Sequence, residues 1–127
     1  MIGTETLDIR QGDILFIEDI DEMLYHLDRM LLHMDRAGIL ARISGLCVGG
    51  LTDMRDNTLD FGFSSDNPYG SSAEQIVAER VAKYDFPVLF DLPCGHGKRN
   101  APLLFGSSIS IAVNSEGGEL GPLRQGE

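Results

Sequence analysis

Glu18 directly follows the apolar run Ile14-Leu15-Phe16-Ile17, and His96 stands just beyond the run Pro87-Val88-Leu89-Phe90-Asp91-Leu92-Pro93. A carboxylate that orients an imidazole and an imidazole that moves a proton are two members of a hydrolytic triad. No third member of similar quality accompanies them. The chain has no Gly-x-Ser-x-Gly elbow. Ser44, Ser64 and Ser65 are formal nucleophile candidates, but none falls on a strand-to-helix turn opposite the Glu and His strands. The imbalance predicts half of an active site, with the nucleophile on a domain outside this chain.

Each of these residues also has a plainer role open to it. A glutamate after a strand is often just solvated or a helix-cap partner, whereas a histidine between Gly95 and Gly97 is poorly placed to be a core residue, and the flanking glycines leave the ring open. His26 and His33 lie at i, i+7 among leucines and methionines and read as packing or surface residues. Asp91, Cys94 and His96 offer metal ligands, but their spacing fits no compact zinc motif and a second ligand pair is missing. Asp19, Asp21 and Glu22 read as helix N-terminal charges rather than a calcium site. No metal or cofactor is expected.

The elements that must position the pair alternate. Ile14 to Ile17 reads as a first strand, and Asp21 as the N-cap of a helix reaching Ala37, with Leu27 and Met30 on its inward face and Gly38 as its stop. Gly45 to Leu51 reads as a second buried strand whose glycines permit close backbone approach or a bulge. A long polar loop, 52–70, follows. Ser71 and Ser72 with Glu74 and Gln75 carry a capping-box signature for a helix to about Tyr84, and Pro87 to Leu92 makes a third strand. This order predicts a small parallel sheet with right-handed crossover helices. Leu103 to Phe105, a turn at Gly106-Ser107 and the alternation Ile109, Ile111, Val113 predict a C-terminal antiparallel hairpin, with a loose tail from Asn114. In an open parallel sheet ligands bind beyond the carboxyl ends of the strands, where Glu18 and His96 both fall.

Composition narrows the partners. The 127 residues are 43% hydrophobic, enough for one domain with its own core, and no apolar stretch is long enough to span a bilayer. Twenty acidic against ten basic residues give a net charge of −10, which disfavours nucleic acid and anionic membrane surfaces. Residues 1–6 lack the basic and apolar segments of a secretory leader. Cys47 and Cys94 show no C-x-x-C spacing and are expected as buried free thiols, which fits a reduced, cytoplasmic setting.

Gly12-Asp13-Ile14-Leu15-Phe16-Ile17-Glu18-Asp19, then Asp28-Arg29-Met30-Leu31, the Gly45 to Gly50 strand, and Gly95-His96-Gly97 with Asn100, Pro102 and Gly106 resemble, in order and spacing, the C-terminal domain of the LD-carboxypeptidases, the S66 serine peptidases. The resemblance runs from about Thr4 to Val113, within an expected domain 1–113 and tail 114–127. It implies a swivelling β/β/α fold and a Ser-Glu-His triad in which Glu18 and His96 are catalytic and the serine lies on an absent N-terminal domain. It further implies removal of the terminal D-alanine from murein tetrapeptides in cytoplasmic peptidoglycan recycling, by a homodimer. Lys98 and Arg99, next to the histidine, are candidates to hold a substrate carboxylate. A related branch of the family hydrolyses microcin C-type peptide-nucleotides and confers immunity. A binding module that kept the fold without the chemistry is a further alternative.

Overall fold

The computed structural model describes residues 2–123. The three apolar runs pair as parallel strands β1 (Ile14–Ile20), β2 (Gly45–Thr52) and β3 (Val88–Leu89), in that order across one sheet. Ile14 pairs with Gly45 and Ile17 with Val48, while Leu46 pairs with Val88. Side chains alternate across the pleat. Leu46 and Val48 therefore face one way, into a core cluster with Leu27 and Leu31 of α1 (Leu24–Arg36) and Ile76 and Val77 of α2 (Ala73–Val81). Gly45, on the other face, meets the hairpin: a Cβ there would stand 2.8 Å from Ile111 Cγ2.

Helix α1 ends as predicted, with Gly38 at φ 72° and the Ile39 N–H donating to the Met34 carbonyl. Its start differs. The N-cap is Met23, not Asp21, which adopts φ 59° and gives its carbonyl and carboxylate to Arg55. The Glu22 carboxylate takes the Met23 N–H at 2.7 Å instead. The buried stripe runs through Leu27 and Leu31, and Met30, expected inside, is 42% exposed beside the open edge of β1. Helix α2 begins at the predicted capping box: Ser72 Oγ accepts the Gln75 N–H and Gln75 Oε1 accepts the Ser72 N–H. It is shorter than expected, ending at Val81.

Strand β3 is also short because Asp91 turns left-handed, at φ 56°, and breaks the ladder before the Leu92 N–H rejoins the Val48 carbonyl at 3.0 Å. Asp21 and Asp53 make the same excursion past β1 and β2, so an aspartate bends the chain away after every strand of the sheet. Aspartate tolerates this region better than most side chains.

The antiparallel hairpin exists, but with a different second arm. Strand β4 (Ile109–Asn114) pairs with β5 (Gly117–Pro122), Ile111 opposite Leu120, within the segment expected to be a loose tail. Residues 124–127 of that tail lie outside the described residues. Leu103 to Phe105 forms no strand; Phe105 instead meets Phe16 edge-on, with ring centroids 6.0 Å apart. The loop after β2 is internally tied, with the Asp56 carboxylate accepting the Tyr69 N–H at 2.9 Å and Asp66 accepting the Leu59 N–H at 2.9 Å.

Two ion pairs tie α1 to α2 and to the turn that follows it. Asp28 receives Arg80, with Nε at 3.0 Å, and Asp35 receives Lys83 Nζ at 2.8 Å together with the Tyr84 hydroxyl. The hydrogen bonds from Lys83 and then Tyr84 hold the Asp35 carboxyl below its ordinary value. A carboxyl depressed in the folded state contributes stability that is present above the unfolded value and lost as the pH falls through the folded one. Urea midpoints of the native chain are therefore expected to fall more steeply than those of Asp35→Asn once the pH drops below the ordinary aspartate value of 3.8. Parallel acid limbs would show that the clamp contributes nothing.

Candidate active site

The pair forms. His96 Nδ1 lies 2.7 Å from Glu18 Oε2. A carboxylate only accepts, so Nδ1 carries the proton and Nε2 is left with its lone pair. Nε2 has no partner among the described residues, and the His96 side chain is 54% exposed against 27% for Glu18. A ring anchored on one nitrogen and open on the other can take and return a proton.

Backbone irregularity aims both side chains. Along β1 the pairing slips between Ile17 and Asp19: Ile17 faces Val48, yet Asp19 faces Leu51, so both Gly49 and Gly50 stand opposite Glu18. The bulge that the double glycine permits thus falls on the catalytic candidate. Gly49 is packed too closely for any side chain, since a Cβ would stand 2.5 Å from the Cys94 carbonyl oxygen and 2.9 Å from the Phe16 ring. The Gly50 N–H donates to that same carbonyl at 3.1 Å, docking the histidine loop onto the bulge.

The two glycines beside the histidine are not equivalent. Gly95 adopts φ +104°, and a Cβ on it would stand 2.8 Å from Glu18 Oε2. Only glycine allows both the left-handed turn and the close approach of the carboxylate. Gly97 has a negative or extended φ and would place a Cβ in ordinary contact, 3.6 Å from the Arg99 carbonyl. Of the two flanking glycines, only Gly95 is required by the backbone conformation and by close packing.

Lys98 and Arg99 lie with Glu74, Gly50 and Gly97 around a groove of about 380 Å³ past the ends of β2 and β3. They adjoin the pair without touching it. Cys47 is buried, and that burial pushes its thiol up; Cys94 is only half-buried, and both are free. Among the described residues no three His, Cys, Asp or Glu side chains gather where they could hold a metal ion. No serine hydroxyl among them is bonded to His96: Ser44 Oγ donates to the Gly12 carbonyl at the opposite end of the strands. His26 Nδ1 meets Glu22 at 2.7 Å on the surface of α1. No helix among the described residues is long and apolar enough to cross a membrane.

Fold and site together define an α/β domain carrying a hydrogen-bonded Glu–His pair at the carboxyl edge of a parallel sheet. The chain belongs to the LD-carboxypeptidase C-terminal domain family, whose model matches residues 1–111. It is 32% identical over 110 residues to a protein of Synechocystis sp. named for a carboxypeptidase, covering 87% of this chain and 34% of that one. It is 27% identical over 103 residues to the murein tetrapeptide carboxypeptidase of Pseudomonas aeruginosa, covering 81% of this chain and 30% of that one. Its fold is similar to the crystal structure of muramoyltetrapeptide carboxypeptidase from Oxalobacter formigenes, with a TM-score of 0.77 at 28% identity over 94% of this chain and 39% of the other. The chain spans about a third of the length of the curated relatives it matches.

Proposed function

We propose that this chain supplies the glutamate and histidine of a Ser-Glu-His triad in a serine LD-carboxypeptidase, with the serine and most of the oxyanion hole on a preceding domain. The 2.7 Å bond between His96 Nδ1 and Glu18, with Nε2 unengaged, is the observation that carries the reading. The family membership and the murein tetrapeptide carboxypeptidases among its relatives favour the terminal D-alanine of a murein tetrapeptide as leaving group.

In this reading His96 Nε2 takes the proton of the serine hydroxyl as its oxygen attacks the carbonyl carbon of the L-configured centre. The C–N bond then breaks, and the same proton passes from Nε2 to the departing D-alanine amine. Water attacks the acyl-enzyme with His96 again as base, restoring the serine. Glu18 fixes the tautomer and stabilises the imidazolium formed in each step. Lys98 and Arg99, on the adjoining groove, are suited to the substrate's terminal carboxylate. The proposal further places the protein in the cytoplasm, as a homodimer serving peptidoglycan recycling.

Alone, the 127-residue chain is expected to release no D-alanine from murein tetrapeptide above a His96→Ala control, and to gain that activity when joined to the preceding domain. Release by the isolated chain would place the nucleophile within it. Cleavage of a peptide-nucleotide but not of the tetrapeptide by the joined protein would assign it to the immunity branch. Inactivity on both would leave a binding module.

A further inference from the structure

The loop that presents His96 runs from Pro93 to Ala101, and three hydrogen bonds give it shape. The Ala101 N–H donates to the Pro93 carbonyl at 2.6 Å and closes its neck. The Gly50 N–H donates to the Cys94 carbonyl at 3.1 Å and docks it on the β2 bulge. The third bond is made by a side chain: Asn100 Oδ1 accepts the Gly95 N–H at 3.1 Å.

That third bond falls where it has most leverage. The Cys94 carbonyl and the Gly95 N–H belong to one peptide unit, held on its oxygen by Gly50 and on its nitrogen by Asn100. Gly95 is the residue whose left-handed φ brings the chain against Glu18, and His96 follows it. Glycine has the widest conformational range of any residue, so a peptide unit leading into it needs outside restraint to keep one orientation. With the amide held at one end only, the unit can rock, and the imidazole swings with it away from the carboxylate.

The geometry points to Asn100 as a positioning residue: its side-chain carbonyl fixes the Cys94–Gly95 peptide and thereby keeps His96 Nδ1 on Glu18. Asn100 touches no reacting atom and acts only through the backbone of the histidine loop. Its effect on turnover rests on the proposed role of the pair, whereas its effect on the ring does not.

The test reads the ring directly. In the 127-residue chain with 15N-labelled histidine, two-bond nitrogen–proton correlations report the His96 tautomer, its signals assigned by their loss in His96→Ala. The Nδ1–H form is expected to dominate. Asn100→Ala should lower the ratio of Nδ1–H to Nε2–H about fivefold, the factor carried by one net hydrogen bond. Asn100→Asp, which keeps an acceptor in place, should restore it. In the protein joined to its preceding domain, Asn100→Ala should lower kcat about fivefold with KM unchanged, again with rescue by Asn100→Asp. If Glu18→Ala shifts the tautomer while Asn100→Ala leaves it at the wild-type ratio, the inference about Asn100 is overturned and the Glu18–His96 pair stands. A tautomer insensitive to Glu18→Ala overturns the pair itself. Failure of Asn100→Asp to restore what Asn100→Ala loses would show that the acceptor is not what matters and would equally sink the inference.

Discussion

His96→Ala in the protein joined to its preceding domain is expected to lower D-alanine release by about 10⁴-fold or more, because in the proposed triad the imidazole takes the serine proton and delivers it to the leaving amine. Glu18→Ala should cost a similar order, by freeing the ring and removing the charge that balances the imidazolium. The double substitution should cost scarcely more than His96→Ala alone, since groups that act as one unit are strongly non-additive. Both side chains lie outside the buried core, so circular dichroism and denaturation midpoints should hardly move. Independent, multiplying losses would show that the two residues do not work together, whatever their 2.7 Å separation.

Gly49→Ala is expected to have the largest effect of any single methyl group added near the site. The new Cβ would fall 2.5 Å from the Cys94 carbonyl oxygen and 2.9 Å from the Phe16 ring, and the first of these is backbone that cannot swing aside. Forcing the strand and the loop apart should destabilise the domain by about 1–3 kcal/mol, in the range of overpacked cores. It should also break the Gly50–Cys94 hydrogen bond and draw the histidine loop off Glu18, so that activity falls further than stability explains. Gly97→Ala is the matched control: one residue beyond His96, it meets only the Arg99 carbonyl at 3.6 Å and should keep the native urea midpoint. Equal midpoints for the two variants would mean that the bulge does not fix the loop.

How much of this was legible in the sequence depended on whether the signal was local. The apolar runs of β1 and β2, the Ser72–Gln75 capping box and the Gly38 stop each depend on residues within a turn of one another, and each is found in place. The double glycine in β2 signalled a bulge, and one lies there, opposite Glu18. The misses are tertiary. Asp21 has the side chain of an N-cap, but Arg55 from the next loop claims it. The segment Gly117–Pro122 has the composition of a loose tail, and becomes a strand only because Leu120 and Pro122 fall opposite Ile111 and Ile109. Leu103 to Phe105 has strand composition, but Phe105 finds the ring of Phe16 instead of a strand partner. At the site, residue types were enough to nominate Glu18 and His96. Nothing in the sequence distinguishes Gly95 from Gly97, or shows that an amide five residues on holds the loop, because both depend on coordinates rather than composition.

The sequence separation of 78 between Glu18 and His96 also sets when in folding the site can exist. Parallel neighbours cannot zip from a tight turn, so each strand of this sheet must wait for a crossover to close behind it, and the pair spans both crossovers in succession. A nascent or partly opened chain with β1 and β2 joined holds the glutamate without its histidine, and only docking of the short β3 completes the contact. With just two residues in β3, the contact that brings the histidine to the glutamate rests on the least extensive pairing in the sheet. Amide exchange at Leu89 and Leu92 should therefore report the opening that separates the pair, while the centre of β2 stays protected until the whole domain unfolds.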